Sequence, residues 1–101
     1  MPILRCRDVL FNSQLDETMF FTSLKSISSI KKIEGRGRDL FLSLPSRIPN
    51  RALRELLGVC HRYKINMRQL AVFANATNRV WFQDRKNYWF KRVFPAKKKN
   101  A

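Results

Sequence analysis

Residues 30–44 read IKKIEGRGRDLFLSL, and the way this stretch is read decides the fold. Leu40, Leu42 and Leu44 alternate with Phe41 and Ser43, the period of a strand buried on at least one face. Residues 30–34 form a second β-leaning run. Between the two runs, Gly35-Arg36-Gly37-Arg38 places two glycines where a hairpin turn uses them. Pro45 and Pro49 then stop the second strand. A hairpin in the middle of the chain argues for an α+β domain rather than an all-helical one.

Upstream, residues 3–11 are β-leaning, with Arg5, Arg7 and Asp8 breaking up apolar positions. Ser13 precedes Asp16 by three residues, the spacing of a helix cap. Phe20, Leu24 and Ile27 then share one helical face, and the helix is expected to end near Ile30. Downstream, Asn50 is expected to cap the strongest helix, on which Leu53, Leu56, Leu57 and Cys60 form an apolar face opposite Arg51, Arg54, Glu55 and Arg62. The run MRQLAVFA at 67–74 is short enough for a strand, although it also suits the opening of a helix. Asn75-Ala76-Thr77-Asn78 is a turn by composition. Residues 80–83 and 88–94 are either two strands joined through 84–87 or one long helix. The order strand, helix, two-stranded hairpin, helix, strand is βαββαβ, the split arrangement of ferredoxin-like domains. We expect that order, ending in a C-terminal aromatic-basic hairpin, with a helix-turn-helix C-terminal half as the alternative.

The chain has 101 residues, enough for one domain with a modest core. We expect that domain over 1–96, followed by a disordered basic tail at 97–101 that carries Lys97, Lys98 and Lys99. Lys and Arg number 21 against 7 Asp and Glu, giving a net charge of +14. That excess favours a polyanionic partner, RNA or DNA, or otherwise an acidic protein. No apolar run approaches the roughly 18–20 residues that span a bilayer, so no membrane partner is expected. Cys6 and Cys60 lack metal-ligand spacing and are read as reduced, buried thiols. With Arg5, Arg7 and Asp8 where a secretory apolar core would lie, a cytoplasmic or nuclear protein is expected.

Function is written most densely in residues 79–99, RVWFQDRKNYWFKRVFPAKKK. Arg79, Arg85, Lys86, Lys91 and Arg92 are interleaved there with Trp81, Phe82, Tyr88, Trp89, Phe90 and Phe94, and Asp84 is the one acid. Cations neutralise phosphates and release counterions, and aromatic faces stack on bases. The candidate nucleic-acid-binding residues are therefore Arg79, Arg85, Lys86, Lys91 and Arg92 for phosphates, helped by Arg36 and Arg38, with Tyr88 and Trp89 as stacking platforms. Gly35-Arg36-Gly37-Arg38 also suits a loop that grips phosphate, but it lacks the Lys-Ser/Thr of a nucleotide loop. His61 has no acid at a telling spacing, and the acids form no pair suited to acid-base work. No cofactor or metal is expected.

Three local resemblances bear on this segment. Val80-Trp81-Phe82-Gln83-Asp84-Arg85-Lys86, with Trp89 beyond and the match reaching Arg92, resembles the homeodomain recognition helix, whose hallmark is Trp-Phe-Gln-Asn-Arg-Arg. It implies a DNA-binding helix, with Asp84 standing where that family has its adenine-reading Asn. Residues 69–77, with Trp81 beyond, resemble the core of phage-repressor-like helix-turn-helix domains. That likeness implies Leu70 and Ala71 in the first helix, Asn75 in the turn and Trp81 in a core slot. The ending also looks like the last strands of RelE-like ribosome-dependent ribonuclease toxins, which implies metal-free cleavage of mRNA by Tyr88, Arg85, Lys91 and Arg92. The reading favoured by the residues themselves is a non-catalytic nucleic-acid-binding protein. Its competitor is a small basic interaction protein, such as an antitoxin, immunity protein or inhibitor, that covers an acidic partner.

Overall fold

Alternation at Leu40, Leu42 and Leu44 does produce a strand, and it becomes the middle of the sheet. The computed structural model describes residues 2–95, so the tail expected at 97–101 lies outside the described residues. Strands β1 (Ile3–Cys6), β2 (Lys32–Arg36) and β3 (Asp39–Ser43) form an antiparallel sheet in the order β1-β3-β2. Leu42 pairs with Leu4 on one side and Ile33 on the other. The β2–β3 hairpin turns on Gly37, whose φ of +59° is readily reached by glycine.

One face of this sheet is covered by two helices, α1 (Gln14–Ser26) and α2 (Asn50–Arg62). The Ser13 hydroxyl accepts a hydrogen bond from the Asp16 N–H at 3.2 Å, as the capping spacing implied. The N-cap of α2 is Pro49 rather than Asn50, and it offers no side-chain hydrogen bond. Leu4, Cys6, Leu42 and Leu44 from the strand region pack with Phe20, Leu24, Leu53, Leu56, Leu57 and Cys60 in one buried cluster. Each such leucine stabilises the fold by roughly 1.5–3 kcal/mol relative to exposure. Phe20 also meets Phe11, Phe21 and Tyr63 in an aromatic group. No helix among the described residues is long and apolar enough to cross a membrane.

Burial pushes the Cys6 thiol up to about 11 and the Cys60 thiol up to about 12. Thiolate is the reactive form, so both cysteines are expected to resist a thiol reagent such as Ellman's at pH ~8 and to react once the chain is unfolded in guanidinium. Labelling of the folded protein at the unfolded rate would show that the core opens.

The architecture is thus α+β, and its first five elements follow the order expected from the sequence. The sixth differs. Residues Met67–Phe73 form a 3-10 helix, not a strand. Met67, Leu70 and Phe73 are buried at a spacing of three, and a helix with three residues per turn aligns all of them on one face. A fourth strand would lie beside β1, and there a side chain takes its place. The Gln69 amide accepts from the Arg5 N–H and donates to the Arg5 C=O, both at 2.8 Å. The C-terminal hairpin is also replaced: residues 79–93 contain two one-turn helices, α3 (Arg79–Phe82) and α4 (Phe90–Val93). The segment therefore runs neither as a hairpin nor as one long helix. The turn before α3 is held by Asn75 and Asn78. Asn78 is buried, and its Nδ2 donates to the Phe73 carbonyl at 2.8 Å.

Candidate nucleic-acid interface

Aromatic residues decide where the C-terminal cations point. Phe82, Trp89 and Val93 are buried, so α3, the intervening turn and α4 are anchored from within. The Trp89 indole N–H donates to the Phe82 carbonyl at 2.8 Å, and the Asn87 Nδ2 donates to the Trp81 carbonyl at 2.7 Å. Both bonds satisfy carbonyls at the end of α3 that lack a partner in the helix. Asp84 shapes the turn by accepting from the Lys86 N–H at 2.9 Å. This corrects one expectation directly: Trp89 is only 8% exposed, so it is a core ring and not a stacking platform. In a short helical turn, adjacent residues face different ways; Tyr88 is 53% exposed because Trp89 is not.

Trp81 is held differently. The Arg54 guanidinium lies 4.1 Å from its ring centroid, close enough for a cation–π contact. Its indole Nε1 is buried without a hydrogen-bond partner among the described residues. Leaving a buried donor unsatisfied costs about 1–3 kcal/mol. Trp81→Phe keeps an aromatic ring under Arg54 and removes that donor. Thermal melting is expected to show it neutral or stabilising by up to about 1 kcal/mol, whereas Trp89→Phe loses a made bond and is destabilising. Equal losses for both would contradict this difference.

With its inner face anchored, α4 turns Lys91 and Arg92 outward. They line a hollow of about 660 Å³ together with His61, Lys64 and Arg68. No acidic residue among the described residues lines it. Three elements build this cluster: the end of α2, the 3-10 helix and α4. The partial negative charge at the C-terminus of α2 favours a cation there, which suits Lys64. Lys64 follows the helix with φ +57°, and the next residue, Ile65, donates its N–H to the Cys60 carbonyl at 2.9 Å. This is a Schellman-type helix ending, a place where glycine is the usual residue. Here the left-handed position carries a cation instead.

Beside the hollow, the Tyr88 ring lies 4.5 Å from the His61 ring. Burial, and secondarily Cys60, raises the Tyr88 phenol above its ordinary range, so it remains a neutral donor at physiological pH. Arg79, Arg85 and Lys86 are exposed at the start of α3 and in the turn, and none of them lines the hollow. Arg36 and Arg38 belong to the β2–β3 hairpin. Arg36 sits 3.4 Å from Glu34, and Arg38 is exposed in the turn. Of the residues expected from the sequence, Lys91 and Arg92 are brought together in the hollow and Tyr88 sits close to it. His61, Lys64 and Arg68 join them through packing; the only signal for this in the sequence is the basic run at 61–64, ending a strong helix. Neither a protein-family model, nor a curated protein, nor a solved structure matches this chain.

Proposed function

We propose that the protein binds nucleic acid non-catalytically, with the hollow formed by His61, Lys64, Arg68, Lys91 and Arg92 as its main phosphate-binding site. The single observation that carries this reading is convergence: cations from three separate elements line one hollow with no acid among them. Four like charges at close quarters repel one another, and a bound polyanion turns that repulsion into attraction while releasing its own counterions. Lys64 supports the reading independently, because a lysine occupies a left-handed position that glycine takes at less strain. Tyr88 stands at the rim with an exposed ring. Arg79, Arg85 and Lys86 add positive potential along the neighbouring surface and help steer a polyanion.

The test is a titration of the protein with labelled single-stranded RNA, single-stranded DNA, duplex DNA and an acidic peptide, each over a salt series. Nucleic-acid binding is expected to weaken linearly in log–log form, with a slope of about −0.7 to −0.9 per phosphate contacted. Tight binding of the acidic peptide alone would replace this reading with that of an interaction protein. Lys64→Gly separates charge from folding: it is expected to leave stability unchanged or raise it by up to about 1 kcal/mol, while reducing the salt slope by roughly one contact.

A further inference from the structure

The sheet has a second face, and the helices do not cover it. Leu4, Cys6 and Leu42 point into the core, so the alternating residues Ile3, Arg5, Phe41 and Ser43 point the other way. Phe41 lies in the middle strand of this face, half-buried, paired with Arg5 on one side and Glu34 on the other. Two guanidiniums reach its ring: Arg5 at 5.8 Å and Arg36 at 5.5 Å from the centroid. Both are held by carboxylates. Asp39 Oδ2 accepts from Arg5 Nε at 2.9 Å and Nη2 at 2.6 Å, and Glu34 lies 3.4 Å from Arg36 and 3.8 Å from Lys32. A carboxylate bonded to the N–H edge of a guanidinium leaves its planar face free to stack on an aromatic ring or a base.

We propose that this sheet face is a base-stacking platform for single-stranded nucleic acid, with Phe41, Arg5 and Arg36 supplying the flat surfaces. The proposal rests on the nucleic-acid reading of the basic hollow and extends it to a partner with unpaired bases. Continuity argues for this occupant. Arg68 lines the hollow, its neighbour Gln69 is hydrogen-bonded to the Arg5 backbone, and the Arg5 side chain borders Phe41. One strand can thus lay phosphates in the hollow and pass Gln69 to reach the ring. Charge agrees: Lys32, Arg5 and Arg36 outnumber Glu34 and Asp39, so the face retains positive charge after its internal pairs are made. Bases in a duplex are already stacked on each other and cannot use such a platform.

The experiment compares Phe41→Leu and Phe41→Tyr with the parent in binding labelled oligouridine, oligodeoxythymidine and duplex DNA. Phe41→Leu is expected to weaken single-strand binding roughly five- to a hundredfold, to leave duplex binding unchanged, and Phe41→Tyr to retain parental affinity. Preference between the two oligonucleotides distinguishes RNA from DNA. Phe41→Trp gives a readout independent of the leucine variant's folding, since its added fluorescence should be quenched by oligouridine. Parental single-strand affinity in Phe41→Leu, or no quenching in Phe41→Trp, overturns the platform. If the parent binds the oligonucleotides with the expected salt slope in that case, the hollow still stands. If the parent binds no nucleic acid at all, both proposals fall.

Discussion

Trp89→Ala is expected to destabilise the protein by roughly 3–5 kcal/mol, the range for removing a large buried aromatic ring. The ring is almost fully buried, its N–H is bonded to the Phe82 carbonyl, and its edge contacts with Trp81 and Tyr88 tie α3 to α4. A domain of this size has only about 5–15 kcal/mol of stability in total. The corresponding fall in melting temperature is about 12–40 °C, measurable by circular dichroism. Any loss of nucleic-acid binding should then track unfolding and recover on cooling to where the variant is folded. A variant that melts with the parent would place the ring outside the core and revive its use as a stacking surface.

The second large effect is expected on binding. Neutralising Lys64, Arg68, Lys91 and Arg92 together, as glutamines, removes the cations that line the hollow and, under the proposed function, its phosphate contacts. Each lost contact lowers the salt slope by about 0.7–0.9, and four should cost about two orders of magnitude in affinity at ~0.15 M salt. All four side chains are exposed, and of the four only Lys64 sits at a left-handed backbone position, so the fold is expected to survive, which a melt verifies. Arg79, Arg85 and Lys86 form the control: neutralising them removes three positive charges against the quadruple's four, from side chains that lie off the hollow. Their neutralisation should change affinity modestly. If the control triple loses as much as the quadruple, binding follows net charge and not the hollow.

Leu40, Leu42 and Leu44 made the central strand legible, since alternation has one physical outcome when one face is buried. Ser13 marked the start of α1, and the apolar stripe of α2 was plain. The 3-10 helix was harder. Met67, Leu70 and Phe73 show a spacing of three, but the apolar run also suits a buried strand, and the Gln69 contact with β1 that stands in for a fourth strand forms only in the folded chain. The same limit governed the site. Lys91 and Arg92 stood out because aromatics surround them, whereas Lys64 and Arg68 joined them only through packing of α4 on the 3-10 helix. Adjacent aromatics such as Tyr88 and Trp89 look alike in sequence. Their division into one surface ring and one core ring depends on which of them reaches the Phe82 carbonyl.

The paired hydrogen bonds of Gln69 also bear on how the chain behaves at high concentration. A strand at a sheet margin is a template on which a second molecule can polymerise. At the β1 margin, the amide of Gln69 already answers both polar groups of Arg5, imitating one residue of a neighbouring strand. The opposite margin, β2, carries Lys32 and Arg36 and follows Lys31, charges that repel an identical strand. Gln69→Leu would leave the Arg5 N–H and C=O open to an intermolecular partner, and it is at that margin that self-assembly into fibrils would begin.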